Sequence, residues 1–115
     1  MAELLRIALE FRHKSWCDEK VYELLRKYNV GWVIADSPRY PRADVATSDF
    51  VYFRMHGSKI MFASKYTKKE LSSLAEKIKK WLKTGDVYCY FNNDFQGFAI
   101  ENSKELLRYF KNKTK

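Results

Sequence analysis

Four short apolar runs, LRIALEFR (5–12), GWVIAD (31–36), DFVYFRMHG (49–57) and VYCYFN (87–92), are separated by stretches that carry a helical period or none. Runs this short have strand length. Strands that alternate with helices re-enter a sheet from the same end each time, so the order predicts a parallel sheet. DEKVYELLRKYN (18–29) places Val21, Leu24, Leu25 and Tyr28 at helical spacing and reads as a helix that Asn29 ends. SPRYPRADVATSD (37–49) has two prolines and no apolar period, which predicts a loop. SKIMFASKY (58–66) fits an irregular wall over the top of the sheet.

The helix signal is sharpest at Thr67. T-K-K-E is a capping box in which the hydroxyl accepts from the third amide while Glu70 returns a bond to the cap. Leu71, Leu74, Ile78 and Leu82 form one stripe, and Gly85 is expected as a left-handed stop. After Gly97 an Asn102 to Glu105 capping pattern predicts a last helix carrying Leu106, Leu107 and Phe110. No linker divides the chain, so residues 1–115 read as a single α/β domain of about four parallel strands with helices on the outer face.

Strand side chains alternate between faces, so polar residues can be sorted by phase. Ala8, Glu10 and Arg12 share one face of the first run; Tyr52, Arg54 and His56 one face of the third; Tyr88, Tyr90, Asn92 and Asp94 one face of the fourth. Asp36 ends the second. The polar residues gather at the carboxyl ends, where parallel barrels carry their chemistry. The expected arrangement is a common rim of Glu10, Asp36, Arg54, His56, Asn92 and Asp94. Each has a plainer reading as well. Glu10 with Arg54, or Arg12 with Asp36, would satisfy one another as buried ion pairs, and His56 alone fits a satisfied histidine as readily as a base.

Composition narrows the alternatives. A 46% hydrophobic and 17% aromatic content excludes a disordered chain. No long apolar run is present, and MAELLRIALEFR carries charges where a signal peptide needs an apolar stretch, so the expected location is cytoplasmic, with no membrane partner. Cys17 and Cys89 in such a chain read as free thiols. The net charge of +8 arises entirely after residue 50, much of it on the 65–83 segment and the tail KNKTK. A solvated helix face explains it; a nucleic-acid footprint is the alternative.

The motifs ALEFRHKSW, VIADSP, FVYFRMHG and VYCYFNND, in this order and spacing, resemble successive strand motifs of the YecE-like family, the domain of unknown function seventy-two. The resemblance runs from about Leu5 to Phe110. It implies the second half of a TIM-like (β/α)8 barrel of roughly twice this length, that is, its fifth to eighth strands. It also marks Glu10, Arg12, His13, Ser15 and Trp16, then Asp36, then Arg54, His56 and Gly57, then Asn92, Asn93 and Asp94. No activity or cofactor comes with it.

Half a barrel leaves one sheet face bare, which implies either a homodimer or a separate chain supplying the first half. Three readings of function follow. In an enzyme, Glu10, His56 and Asp94 are the acid–base candidates, Arg12 and Arg54 hold an anion, and His13, Trp16, Asp36, Asn92 and Asn93 complete the binding of a phosphate-bearing or sugar-like ligand. A metal variant would use Glu10, Asp36, His56 and Asp94, although no compact ligand motif is present. The other readings are a nucleic-acid module built on Lys68, Lys69, Lys77, Lys80 and the tail, and a non-catalytic half of a split barrel.

Overall fold

The structure, a computed structural model, describes residues 5–61 and 63–111. Its strands are β1 (Ala8–Leu9), β2 (Gly31–Asp36), β3 (Phe50–Met55) and β4 (Asp86–Phe91), paired in parallel in that order. Helix α1 (Glu19–Lys27) joins β1 to β2, α2 (Lys68–Leu82) joins β3 to β4, and α3 (Phe98–Lys111) follows β4. The half-barrel arrangement is therefore present, and residues 37–49 contain no regular helix, as the prolines require. β1 is shorter than the eight-residue run suggests. It is an edge strand with pairing described on one side only, where Ala8 meets Gly31 and Leu9 meets Trp32.

Local chemistry explains where the elements begin and end. Asp18 caps α1 by accepting from Lys20 N at 2.9 Å. Asn29 turns the chain out of that helix at φ 56°, a left-handed conformation its short polar side chain tolerates. The Asn29 Oδ1 then accepts from Asp49 N (3.2 Å) and Ser48 Oγ (2.7 Å), tying the exit of α1 to the start of β3. Thr67 and Glu70 form the reciprocal capping box, with bonds of 3.1 and 2.9 Å. Such a cap contributes about 1 kcal/mol.

Two expectations change. Gly85 is not the left-handed stop: the positive-φ glycines are Gly57 and Gly97, and α2 ends through Lys83 in right-handed geometry. Gly85 is needed because a Cβ there would lie 2.2 Å from the Asp49 carbonyl, so the approach of β4 to β3 excludes a side chain. Asn102 does not cap the last helix. That helix begins at Phe98, after a short 3-10 turn at Phe95–Gly97, and Asn102 lies inside it, fully buried.

The sheet has two different faces. Trp32, Ile34, Val51, Phe53 and Met55 point toward the helices and pack with Leu25 of α1, Leu71, Leu74 and Ile78 of α2, and Leu106 of α3. Ile34 and Phe53 have no exposed surface. On the concave face the register sets Val33 beside Tyr52 and Tyr52 beside Tyr88, then Ala35 beside Arg54 and Arg54 beside Tyr90. Small residues thus line the first two strands of this face and large ones the last two. Both thiols are free.

Candidate active site

A polar cluster lies at the carboxyl end of the concave face, built by residues leaving β1, β3 and β4. β2 lies between β1 and β3 and presents only Val33 and Ala35 on this side, so Glu10 reaches across to His56. Glu10 Oε2 is 2.7 Å from His56 Nε2, and Oε1 accepts from Arg12 at 3.0 Å. The Arg54 guanidinium comes within 3.8 Å of the same Oε1. Arg54 also donates through Nε (3.0 Å) and Nη2 (2.7 Å) to Asn92 Oδ1. His56 is buried and held by its backbone, His56 N donating to the Asp36 carbonyl at 2.9 Å.

Burial is the largest influence on Glu10 and opposes its charge. Hydrogen bonds from His56 and Arg12, with their charges, outweigh it and hold the carboxyl below its ordinary value near 4.5. An ionised carboxylate only accepts, so Nε2 of His56 carries the shared proton. Arg12 is exposed and also donates to Tyr40 Oη (2.6 Å), its guanidinium 4.1 Å from the centre of that ring. Tyr40 in turn meets His56 edge-on at 5.6 Å.

The cluster borders a cavity of about 330 Å³ lined by Arg6, Glu10, Tyr52, Arg54, Tyr88 and Tyr90 among others. Tyr52 and Tyr90 stack at 5.3 Å and 12° to form part of its wall. At the opposite end Arg6 donates to Asp86 (2.9 Å) and Tyr88 (2.5 Å), bridging from β1 to β4 and closing the bottom. Among the described residues no three His, Cys, Asp or Glu side chains converge to hold a metal.

The sequence profile described as "Protein of unknown function DUF72" matches residues 1–115. The chain belongs to the DUF72 family. It is similar to a DUF72 family protein from Thermotoga maritima, with 28% identity and a TM-score of 0.83 over 93% of this chain and 46% of that one. Two crystal structures of a DUF72 family protein from Enterococcus faecalis superpose with TM-scores of 0.84 and 0.82, at 23% and 24% identity, covering 48% and 49% of those chains. This DUF72 chain therefore spans about half the length of the solved structures it matches. No curated protein matches it.

The fold gathers Glu10, Arg12, Arg54, His56 and Asn92 into the DUF72 cluster and sends the other candidates elsewhere. Asp36 shares the phase of Trp32 and Ile34, so it points to the helix side. There it accepts from Arg42 (2.7 Å) and from the Tyr66 hydroxyl (2.7 Å). Arg42 also bonds Asp44 (2.7 Å), which pairs with Lys77 of α2 at 2.5 Å. Burial, then the charge and hydrogen bond of Asp36, raise the Tyr66 phenol well above its ordinary range.

Asp94 is exposed at the start of the 95–97 turn and makes no side-chain cap bond. His13 caps the turn at Lys14–Trp16 through Ser15 N (3.1 Å), and Trp16 stacks on Phe11 at 4.6 Å; both act on the β1–α1 connection. Asn93 is fully buried and donates to the Ser64 carbonyl (2.8 Å) and Asn102 Oδ1 (2.9 Å). Asn102 also brackets Tyr66, accepting from its N–H (3.0 Å) and donating to its carbonyl (3.2 Å). Asn93 thus anchors the wall while Asn92 serves the rim.

Sequence reasoning missed Arg6 and Tyr40. Arg6 had a usable signal, its phase with Ala8 and Glu10, whereas Tyr40 lies in a loop without period. The lysines of α2 stand on the outer wall, where Lys77 is engaged by Asp44. Residues 112–115 of the basic tail lie outside the described residues. No described helix is long and apolar enough to cross a membrane.

Proposed function

We propose that this DUF72 chain binds a small phosphate-bearing or sugar-like ligand at the carboxyl end of its concave face, with Glu10 and His56 as its proton-handling pair. The observation that supports it best is one carboxylate, Glu10, held between a buried histidine and two arginines at the edge of a tyrosine-lined cavity.

Each residue has a chemical role. Arg54, its side chain 32% exposed, has Nη1 3.8 Å from Glu10 and, among the described residues, no closer partner for that atom, so a phosphate oxygen can take it. Arg12 adds a second exposed guanidinium. Asn92 sets the plane of Arg54 by receiving two of its N–H groups. The Tyr52–Tyr90 pair offers flat rings on which the apolar face of a sugar rests. Glu10 accepts a proton from a ligand hydroxyl, and the His56 N–H stabilises the carboxylate between transfers.

Calorimetric titration with inorganic phosphate and with a sugar phosphate tests this. The wild type should bind at least the sugar phosphate, and Arg54→Ala should weaken that binding about 10- to 100-fold, the worth of a charge-assisted hydrogen bond of about 1.5–3 kcal/mol. Absence of binding, or equal binding by Arg54→Ala, overturns the reading.

A further inference from the structure

The two ends of the cavity on the concave face differ in charge. At the rim Arg12 and Arg54 stand against the single carboxylate of Glu10, an excess of at least one positive charge. At the bottom the Arg6 guanidinium is matched by Asp86 at 2.9 Å, so among the described residues that end is neutral. Strand register separates the two ends. Asp86 pairs with Phe50 and Tyr90 with Arg54, and Phe50 and Arg54 lie roughly 13 Å apart along β3. Tyr52, Tyr88 and Tyr90 fill the wall between them. Arg6 and Arg54 line the same cavity of about 330 Å³, so one small ligand can touch both ends.

The bottom end suits uncharged hydroxyl groups. Arg6 lies over Phe50 and Tyr88, its guanidinium carbon 5.4 and 5.7 Å from the ring centres, which holds it against the wall. Nη1 donates to both Asp86 and the Tyr88 hydroxyl. Nη2 makes no bond among the described residues, and Nε is buried without an acceptor. The guanidinium is thus under-satisfied, and a ligand oxygen adds a bond there without breaking one. Tyr88 accepts from Arg6 and keeps its own hydrogen to donate, while Asp86 bonds Arg6 through one oxygen and leaves the other to accept. Donors and an acceptor side by side match neighbouring hydroxyls, each of which gives and receives a bond. A second phosphate would instead meet the like charge of Asp86.

Granted the ligand site proposed above, we infer that its ligand is a sugar carrying a single phosphate and lying lengthwise in the cavity, and that the Arg6–Asp86 pair rejects ligands charged at both ends. The phosphate sits at Arg54 and Arg12, the sugar ring lies along the tyrosines, and the far hydroxyls rest on Arg6, Tyr88 and Asp86. Arg6 supplies N–H groups at that end, and Asp86 cancels the charge that would otherwise welcome a second anion. Neither residue touches Glu10 or His56, so the pair sets which ligand is held and not how a proton is moved.

Calorimetric titration with two probes tests this: glucose phosphorylated on carbon six, and glucose phosphorylated on carbons one and six. The wild type should bind the singly phosphorylated sugar at least about 10-fold more tightly than the doubly phosphorylated one. Asp86→Asn, at a side chain 66% exposed, leaves Arg6 its charge without the matching carboxylate and should narrow that ratio about 5-fold or more. Arg6→Lys keeps the charge without the planar fork, and should weaken the singly phosphorylated sugar about 5-fold with the preference between probes unchanged; it carries the test if Asp86→Asn folds poorly. Binding of neither probe by the wild type overturns the ligand site and this inference together. Where the singly phosphorylated sugar binds in a manner that depends on Arg54, three results overturn this inference alone: equal or tighter binding of the doubly phosphorylated sugar, a ratio that folded Asp86→Asn does not move, or wild-type affinity in Arg6→Lys.

Discussion

Two ion clusters stand at the ends of neighbouring strands and differ in what surrounds them. The Glu10, His56 and Arg54 cluster faces the hollow of the curved sheet and borders open volume. The Asp36, Arg42 and Asp44 cluster faces the helices, and Lys77 of α2 and the Tyr66 hydroxyl complete it beside a cavity of about 290 Å³ on that side. Each has a carboxylate at or just past the carboxyl end of a strand, Glu10 after β1 and Asp36 closing β2. Position at a carboxyl end is therefore insufficient: side-chain phase decides whether a charge faces the hollow of the sheet or a helix.

Substitutions separate the two clusters from each other and from the wall behind them. The largest expected effect is on the wall. Asn102→Ala strips partners from the buried Tyr66 N–H and carbonyl and from Asn93, and should lower stability by about 2–4 kcal/mol in urea unfolding, at 1–3 kcal/mol per orphaned group. Phosphate-ligand affinity measured on the folded fraction should persist. A loss below about 0.5 kcal/mol would show that the wall is not held this way.

Next comes the rim partner of Arg54. Asn92→Ala should leave unfolding within about 1 kcal/mol of wild type and weaken sugar-phosphate binding about 5- to 20-fold by calorimetry, because Arg54 loses its orientation rather than its charge. A stability loss as large as that of Asn102→Ala would erase the distinction between rim and wall.

Acid titration compares the clusters directly. Glu10 is held below its ordinary value near 4.5, burial opposing and the His56 and Arg12 bonds prevailing; Asp44 is likewise held below 3.8, burial opposing and Arg42 and Lys77 prevailing. A depressed carboxyl stabilises the fold above its unfolded value, and that contribution is lost as pH falls through the folded value. Glu10→Gln should therefore flatten the stability curve from about pH 4.5 downward, and Asp44→Asn from about pH 3.8 downward. Identical curves for Glu10→Gln and wild type would remove Glu10 from the acid response.

The smallest effect concerns Cys89, on the helix side of β4. Burial pushes its thiol up to about 12, so in the native protein near pH 8 it should stay unmodified by an aromatic disulfide reagent over minutes and react once urea is added. Rapid native modification would mean that the helix packing beside β4 opens in solution.

Much of this was legible in the chain. The Asp18 and Thr67 caps, the phase of Val51, Phe53 and Met55, and the grouping of Glu10, Arg54 and Asn92 follow from periods of 3.6 and 2 and from capping chemistry, which depend on near neighbours only. Asp36 was legible too, by its phase with Trp32 and Ile34; weight given to its place at a strand end hid that signal. Asn93 and Asn102 were not legible. Nothing local distinguishes Asn93 from Asn92, and an Asn four residues into a helix resembles a cap until Tyr66 arrives beside it from 36 positions away.

The strands, the helices, their parallel order and the residues that share a face follow from the amino-acid order, because each depends on spacing along one backbone. Three features arise from the folded chain alone: Glu10 meets His56 across β2, Asp36 belongs to the wall, and Gly85 is required by the Asp49 carbonyl. These depend on distances between segments far apart in the chain, set by sheet curvature and helix packing, and spacing along a backbone carries no record of them.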